Sequence, residues 1–115
     1  MGGTVCGCAA TGNAPLAGQI IDIGTPTDFA NEGVYYQFIR QGVIITKTAG
    51  VLGALSAVCT HRRCGLEKQG DGSLSCPCHG SVFDSHGKVR EGPAIQNLVT
   101  LSISKGSNDR LQVKT

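Results

Sequence analysis

Alternating apolar and polar residues near the end of the chain predict two β-strands. In residues 98–105 every second side chain from Val99 to Ile103 is apolar, and residues 110–115 repeat the pattern with Leu111 and Val113. Such alternation is typical of strands that bury one face and expose the other. The polar and glycine residues between them predict a tight turn.

Denser apolar runs in the first half of the chain predict further strands. They cover residues 18–24, 34–40, 42–48 and 51–58. Ala49 and Gly50 predict a hairpin turn between the last two runs. The only helical candidate is residues 27–33, a turn capped by Thr27 or Asp28. With 17 glycines, many of them at predicted turns, the sequence predicts an all-β domain.

Residues 59–97 break this pattern and predict a loop-rich subdomain set into the β framework. Few apolar positions alternate there, and Gly, Cys, His, Pro and charged residues are frequent. A chain of 115 residues has the length of one domain. We therefore expect residues 16–115 to form a single domain that contains this subdomain.

The first dozen residues, MGGTVCGCAATG, carry no charge and have too few large side chains to pack a core. They are also too short to span a bilayer. We expect residues 1–15 to be the flexible remnant of an export signal or a membrane anchor. VCGC, at residues 5–8, faintly resembles the lipid-attachment site of bacterial lipoproteins, but a mobile linker with two incidental thiols is the favoured interpretation.

Charge and composition exclude one class of function and suggest a need for extra stabilisation. The formal net charge is only +2, with Lys and Arg scattered along the chain, so we expect no nucleic-acid partner. The chain has no Trp and few other aromatic residues. A core this thin would gain from crosslinks or a bound metal.

Two short segments, CTHRRCG and CPCHGS, contain four of the six cysteines and two of the three histidines. Cys59 and His61 form C-x-H, whereas Cys76 and His79 form C-x-x-H. Two thiolates and two imidazoles would suit a tetrahedral structural zinc. They would equally suit a two-iron, two-sulfide cluster with two Cys on one iron and two His on the other. The C-x-H spacing is unlike the usual zinc C-x-x-C and favours iron.

Each segment carries one more cysteine, Cys64 in the first and Cys78 in the second. A disulfide between them would tie the two ligand loops together across the site. In the alternative, all six cysteines are free or bind zinc.

The two segments in this order resemble the cluster-binding signature of Rieske iron–sulfur proteins, in the subgroup that has a loop disulfide. The likeness covers residues 34–115 and includes the later FD, GKV, GPA and NL. It implies a Rieske-like fold of three antiparallel sheets, with a small loop-rich cluster-binding subdomain at about residues 59–97.

The resemblance also implies a cofactor, a Rieske-type 2Fe-2S cluster. Cys59 and Cys76 would hold its inner iron, and His61 and His79 its outer iron. Because neutral imidazoles replace two negative thiolates, such a cluster has a higher reduction potential than an all-cysteine cluster.

Three further features take roles from the same resemblance. Cys64 and Cys78 would form the loop disulfide. Ser81 would donate a hydrogen bond to a bridging sulfide, which would raise the potential further. Residues 92–94, Gly-Pro-Ala, would cover the third side of the cluster.

Two positions depart from the pattern of the resembling proteins. Arg62, followed by Arg63, replaces the apolar residue, usually Leu, of members that serve quinol-oxidising cytochrome complexes. Two charges are hard to bury in a quinol pocket, so these arginines either dock an acidic partner or are simply solvated. Phe83 replaces the Tyr of high-potential members and cannot donate a hydrogen bond.

We expect one-electron transfer by a soluble domain or subunit of an extracytoplasmic respiratory oxidoreductase or a quinol-oxidising cytochrome complex. The disulfide would persist outside the cytoplasm, so we expect the domain to lie in the periplasm. It would be either free there or tethered to the membrane through a missing N-terminal anchor. The expected partner is a cytochrome or an oxidoreductase large subunit, as in arsenite oxidase, with quinol as a further candidate. No acid–base pair or nucleophile emerges, so the chain is expected to be an electron-transfer component rather than a catalyst alone.

Two alternatives remain. The first is a zinc-stabilised binding module, which would be colourless. The second is the ferredoxin component of a ring-hydroxylating oxygenase, which is disfavoured because those proteins lack the cysteine pair at positions 64 and 78.

Overall fold

The computed structural model describes residues 18–60 and 64–115 and builds them from short β-strands. The strands are β1 (Ile20–Gly24), β2 (Gly33–Tyr35), β3 (Val43–Thr48), β4 (Val51–Ser56), β5 (Glu67–Lys68), β6 (Leu74–Ser75), β7 (Val82–Phe83), β8 (Val89–Glu91), β9 (Thr100–Lys105) and β10 (Leu111–Lys114). Short 3-10 helices cover Pro26–Phe29, Ile39–Gln41 and Ser107–Asp109. Among these described residues, no helix has the length and apolar character needed to cross a membrane.

The strands form two antiparallel sheets, which confirms the all-β prediction. One sheet has six strands in the order β1-β10-β9-β4-β3-β2, and the other has four in the order β5-β6-β7-β8. The resemblance implied three sheets. Here two of them are continuous, because β9 pairs with β10 along one edge and with Ala54 and Leu55 of β4 along the other.

The predicted hairpin between β3 and β4 is confirmed. The strands pair from Val43 opposite Ser56 to the turn at Ala49 and Gly50. Both turn residues are left-handed, with φ of 50° and 79°, as a two-residue hairpin turn requires. The Glu32 carboxylate accepts the N–H groups of Ala49 and Gly50, at 2.6 and 2.8 Å. These hydrogen bonds, chiefly the one from Gly50, lower the pKa of Glu32.

The strand predicted over residues 34–40 is too long, because β2 ends at Tyr35. The next tyrosine leaves the sheet, and the hydroxyl of Tyr36 donates to the carbonyl of Gly72 at 2.8 Å. The N–H of Ile39 then donates to the carbonyl of Tyr36 at 3.0 Å and opens a 3-10 turn. Tyr36, Phe38 and Ile39 pack against the two buried clusters of the core instead of continuing the strand.

The predicted helical turn is present but starts earlier in the chain. It covers Pro26–Phe29, and its N-cap is Thr25 rather than Thr27 or Asp28. The Asp28 carboxylate accepts the N–H of Thr25 at 2.9 Å, so Asp28 caps the turn from inside it.

Two buried clusters of side chains form the core, and β3 contributes to both. Val43 and Ile45 belong to one cluster and Ile44 to the other, and all three are fully buried. Burial of both faces explains why the first half of this strand, residues 43–45, is a continuous apolar run. The cluster that contains Ile44 also contains Cys59 and Cys76, so the base of the candidate site is part of the core.

Candidate metal centre

The two cysteine-rich segments are each closed by the same kind of backbone hydrogen bond, from a cysteine N–H to the carbonyl five residues later. In the first, the N–H of Cys59 donates to the carbonyl of Cys64 at 2.8 Å, and a bridge between Val58 and Gly65 lies beneath the loop. In the second, the N–H of Cys76 donates to the carbonyl of Ser81, also at 2.8 Å. The neighbouring strands β6 and β7 pair beneath this second loop. Each loop therefore starts with a cysteine that the backbone fixes at the loop base.

Those two cysteines are buried and adjacent. Cys59 is 1% exposed, Cys76 is 2% exposed, and neither forms a disulfide. Burial, followed by the hydrogen-bonded thiol of Cys59, raises the pKa of Cys76. The backbone N–H groups of Cys78 and His79 donate to the Cys76 sulfur and act in the opposite direction, because they favour the thiolate.

This donor set fits a metal cluster. Two adjacent thiols lie in a dry environment that disfavours their charged form, and a metal removes that penalty because it replaces the protons. The amides aimed at the Cys76 sulfur would offset the charge of a metal-bound thiolate.

His79 lies further along the second loop and is exposed to solvent. The following Gly80 is left-handed, with φ of 82°, and its N–H donates to the carbonyl of Cys76 at 2.9 Å. This turn places the imidazole at the surface and the cysteine at the base. The fourth predicted ligand, His61, lies outside the described residues, as do Arg62 and Arg63 and the predicted N-terminal remnant at 1–15.

Cys64 and Cys78 form a disulfide, with their Cα atoms 6.5 Å apart. The bond joins the end of the first loop to the middle of the second, and it confirms the predicted crosslink. The Sγ atoms of Cys64, Cys76 and Cys78 all lie within 4.8 Å of one another.

A third segment, residues 92–98, contacts the second loop through Ser81. This serine is fully buried, and its Oγ accepts the N–H of Ala94 at 3.0 Å. Ala94 is 4% exposed, whereas Gly92 and Pro93 are exposed. Because Ser81 uses its oxygen as the acceptor here, its hydroxyl proton is available for another acceptor. Donation of that proton to a sulfide remains a prediction.

The same segment is also bonded to the first loop, through a residue that the sequence reasoning missed. The hydroxyl of Thr60 donates to the carbonyl of Gln96 at 2.8 Å. The N–H of Val89 donates to Asn97 Oδ1 at 3.0 Å and holds the segment against β8. The only sequence signal for Thr60 was a hydroxyl placed between two predicted ligands.

The β7–β8 turn beside the site is fixed by Asp84. Its carboxylate accepts the N–H groups of His86 and Lys88, each at 2.9 Å. Burial alone would raise the pKa of Asp84, but these amides outweigh it and lower the pKa. Phe83, immediately before this turn, is fully buried in the same cluster as Cys59 and Cys76.

A comparison with known families identifies the class of protein. The family described as the Rieske [2Fe-2S] domain matches residues 19–102, well over half of the chain. The chain belongs to this family, and its cofactor is a Rieske-type 2Fe-2S cluster.

Curated relatives come from two cytochrome complexes. The cytochrome b6-f complex iron-sulfur subunit of Chlorobaculum tepidum is 37% identical over 73 residues, which are 62% of this chain and 40% of that protein. The mitochondrial Rieske subunit of the Bos taurus cytochrome b-c1 complex is 44% identical over 61 residues, which are 51% of this chain and 22% of that protein. The matched region is therefore about two fifths or less of these relatives.

Solved structures agree with the fold. The cyanobacterial plasma membrane Rieske protein PetC3 from Synechocystis PCC 6803 aligns with a TM-score of 0.52 and 28% identity, covering 83% of this chain and 99% of that one. The quaternary ammonium Rieske monooxygenase CntA aligns with a TM-score of 0.54 over 88% of this chain and 34% of its own. Its identity is only 17%, so it supports the fold alone.

Proposed function

We propose that the chain carries single electrons through a Rieske 2Fe-2S cluster held by Cys59, Cys76, His61 and His79. The observation that carries this proposal is the family match over residues 19–102, because it includes both ligand loops. When bound, such a cluster accepts and releases one electron at a potential raised by its two imidazole ligands.

The residues of this chain support that role by separating a dry base from an exposed edge. Cys59 and Cys76 are buried at the loop bases, where water is excluded. The amides of Cys78 and His79 point at the Cys76 sulfur and would stabilise added negative charge there. His79 is exposed and would bring the outer edge of the site to the surface, where a redox partner can approach.

We infer further that the parent assembly is a cytochrome complex of the b6-f or b-c1 type, with quinol as electron donor and a cytochrome as acceptor. The b6-f and b-c1 relatives support this assignment. The Cys64–Cys78 disulfide supports it as well, because oxygenase ferredoxins lack this pair. A disulfide also persists best outside the cytoplasm, which favours a domain that faces the periplasm.

A second candidate is the small subunit of a different oxidoreductase, such as arsenite oxidase. Arg62 and Arg63 favour it, because two charges next in sequence to the predicted ligand His61 suit docking to an acidic protein surface better than burial in a quinol pocket.

Metal and sulfide analysis of the purified protein tests the cofactor and its ligands. We expect about two irons and two acid-labile sulfides per chain, since the ligand set is two Cys and two His. Cys76→Ser should abolish the cluster, whereas Cys6→Ser should not. Stoichiometric zinc without sulfide would contradict the proposal and restore the zinc-stabilised module.

The parent complex requires a separate experiment. A tagged chain, expressed in its own host, should co-purify with a cytochrome, and the cluster should be reduced by a quinol only in the presence of that cytochrome. Co-purification with an oxidoreductase large subunit that is not a cytochrome would favour the second candidate instead.

A further inference from the structure

A third sulfur lies beside the disulfide of this site. The Sγ atoms of Cys64, Cys76 and Cys78 are within 4.8 Å of one another, although the disulfide joins only Cys64 and Cys78. Cys76 is a thiol, buried and fixed at its loop base by backbone hydrogen bonds. Cys59 does not belong to this group of three. A thiol this close to a disulfide can reach it for thiol–disulfide exchange. Burial disfavours the attacking thiolate and makes the step slow, whereas the N–H groups of Cys78 and His79 that donate to the Cys76 sulfur favour the thiolate.

We propose that, in protein that has not yet received its cluster, Cys76 exchanges with the Cys64–Cys78 disulfide and thereby removes itself from the ligand set. The thiolate sulfur of Cys76 forms a bond with Sγ of Cys64, and the bond between Cys64 and Cys78 breaks. Cys78 leaves as a thiolate and takes up a proton equivalent to the one that Cys76 gave up. No electron enters or leaves the protein, so the step needs no oxidant or reductant.

The structure favours Cys64 over Cys78 as the sulfur that is attacked. Cys76 and Cys78 are separated only by Pro77, so a bond between them would close a small ring within one loop and release the first loop. A bond between Cys64 and Cys76 links the same two loops as the original disulfide does. The exchanged form therefore keeps the fold crosslinked.

Exchange would compete with cluster loading. A cluster bound to Cys76 occupies the attacking sulfur and blocks the step, whereas exchange consumes a ligand and blocks loading. The inference rests on the proposed function for one point, the role of Cys76 as a ligand. It implies that the cluster must be inserted before the disulfide forms, or faster than the sulfurs exchange.

The test maps the sulfurs of cluster-free protein over time. The cluster is removed with a chelator while the disulfide stays intact, and the protein is held without reductant for the minutes to hours that disulfide rearrangement takes. Thiols are alkylated with one isotopic reagent. Disulfides are then reduced and labelled with a second reagent, and both labels are located by peptide mass spectrometry. We expect the thiol label to move from Cys76 to Cys78 while the total number of thiols stays constant.

Two variants identify the attacking sulfur. Cys76→Ser should keep the Cys64–Cys78 bond throughout, because the nucleophile is gone. Cys59→Ser removes the other proposed cysteine ligand but keeps Cys76, so the label should still move. The rearranged wild-type fraction should fail to take up iron and sulfide, and reduction followed by reoxidation should restore uptake.

A thiol label that stays on Cys76 in cluster-free wild-type protein would overturn the inference. Loss of the label shift in Cys59→Ser would overturn the choice of Cys76 as nucleophile. These outcomes are independent of the iron and sulfide content of freshly loaded protein, which alone decides the proposed function.

Discussion

Thr60→Val is expected to loosen the first ligand loop while it leaves the shape and volume of the side chain almost unchanged. Valine replaces the hydroxyl by a methyl group, so the hydrogen bond from Thr60 to the Gln96 carbonyl, 2.8 Å long, is lost. Thr60 directly follows Cys59 in the first loop. Gln96 lies two residues after Ala94, whose N–H bonds to Ser81 in the second loop. The lost bond and the bond between Ser81 and Ala94 both connect the ligand loops through residues 92–98.

The size of the effect follows from the type of bond and its exposure. A neutral hydrogen bond contributes about 0.5–1.5 kcal/mol to the free energy of unfolding. Thr60 is only partly buried, so water can reach the Gln96 carbonyl and the loss should lie near the lower end. For a domain of this size, 1 kcal/mol shifts the thermal midpoint by roughly 4 °C, so we expect a decrease of about 2–4 °C.

The assay combines thermal stability with local exchange. The midpoint is followed by the loss of cluster absorbance on heating, and in cluster-free protein by circular dichroism. Amide hydrogen exchange reports the residue 92–98 segment directly, and the N–H of Ala94 should exchange faster in Thr60→Val than in the wild type. Thr60→Ser is the matched control, because it keeps the hydroxyl and loses only the methyl group.

Two results would refute the reasoning. A Thr60→Val protein with wild-type midpoint and wild-type Ala94 exchange would mean that the bond to Gln96 does not hold the loop. A Thr60→Ser protein as unstable as Thr60→Val would assign the effect to methyl packing instead.

Three other properties of the protein should respond to single changes. Phe83→Tyr should raise the reduction potential by some tens of millivolts, because a hydroxyl directed at a ligand sulfur favours the reduced state. Ser81→Ala should lower the potential. Protein-film voltammetry measures both changes, and no increase for Phe83→Tyr would leave Phe83 as a core ring only. The lowered pKa of Glu32 means that its contribution to stability is complete above its ordinary value of 4.5 and disappears as the pH falls through the folded value. In Glu32→Gln the thermal midpoint should therefore depend less on pH between about pH 6 and about pH 3 than in the wild type. A pH dependence equal to that of the wild type would contradict this. If Arg62 and Arg63 dock an acidic partner, charge reversal to Glu and added salt should each slow electron transfer, whereas rates that respond to neither would make them solvated surface.

The strands that the sequence predicted best are those whose packing leaves a periodic pattern. The segment from β9 to β10 alternates because one face is buried, and the first three residues of β3 are all apolar because both faces are buried there. The strand predicted over residues 34–40 was too long, because the β-propensity of its residues differs from the contacts they make in the fold. Tyr36 has a high β-propensity, but it ends the strand so that its hydroxyl can reach Gly72, a residue 36 positions away.

The small sheet β5-β6-β7-β8 was missed for a different reason. Its strands are two or three residues long, too short to show any alternation. Their pairing depends on the loops they flank: β6 and β7 meet because the loop from Cys76 to Ser81 closes on itself. A sequence pattern cannot predict two short strands that pair only because the loop between them brings them together.

The candidate site also contains some features that the sequence predicts and others that only the structure shows. The disulfide could be predicted because Cys64 and Cys78 each accompany a Cys and a His in a short segment that resembles the Rieske signature, and the structure confirms it. The four cluster ligands stay a prediction. The contact between Thr60 and Gln96 could not be predicted, because it joins residues 36 positions apart and uses a backbone carbonyl, which carries no sequence signal. Ser81 was singled out for a sulfide contact, whereas its bond to Ala94 became visible only in the structure.

The disulfide of this site and the proposed ligand Cys76 lie close enough to react with each other, and the loop sequence does not allow them to be separated. The C-P-C-H spacing places Cys78 two residues from Cys76, so a disulfide made by Cys78 brings both of its sulfurs close to the proposed ligand Cys76. Moving the disulfide away would require a different loop, and removing it would cost about 2–4 kcal/mol of loop ordering. A bound cluster would prevent the reaction, because on the proposed ligand assignment it would occupy Cys76. If the proposed exchange occurs, the order of assembly, rather than the distance between sulfurs, would protect this site.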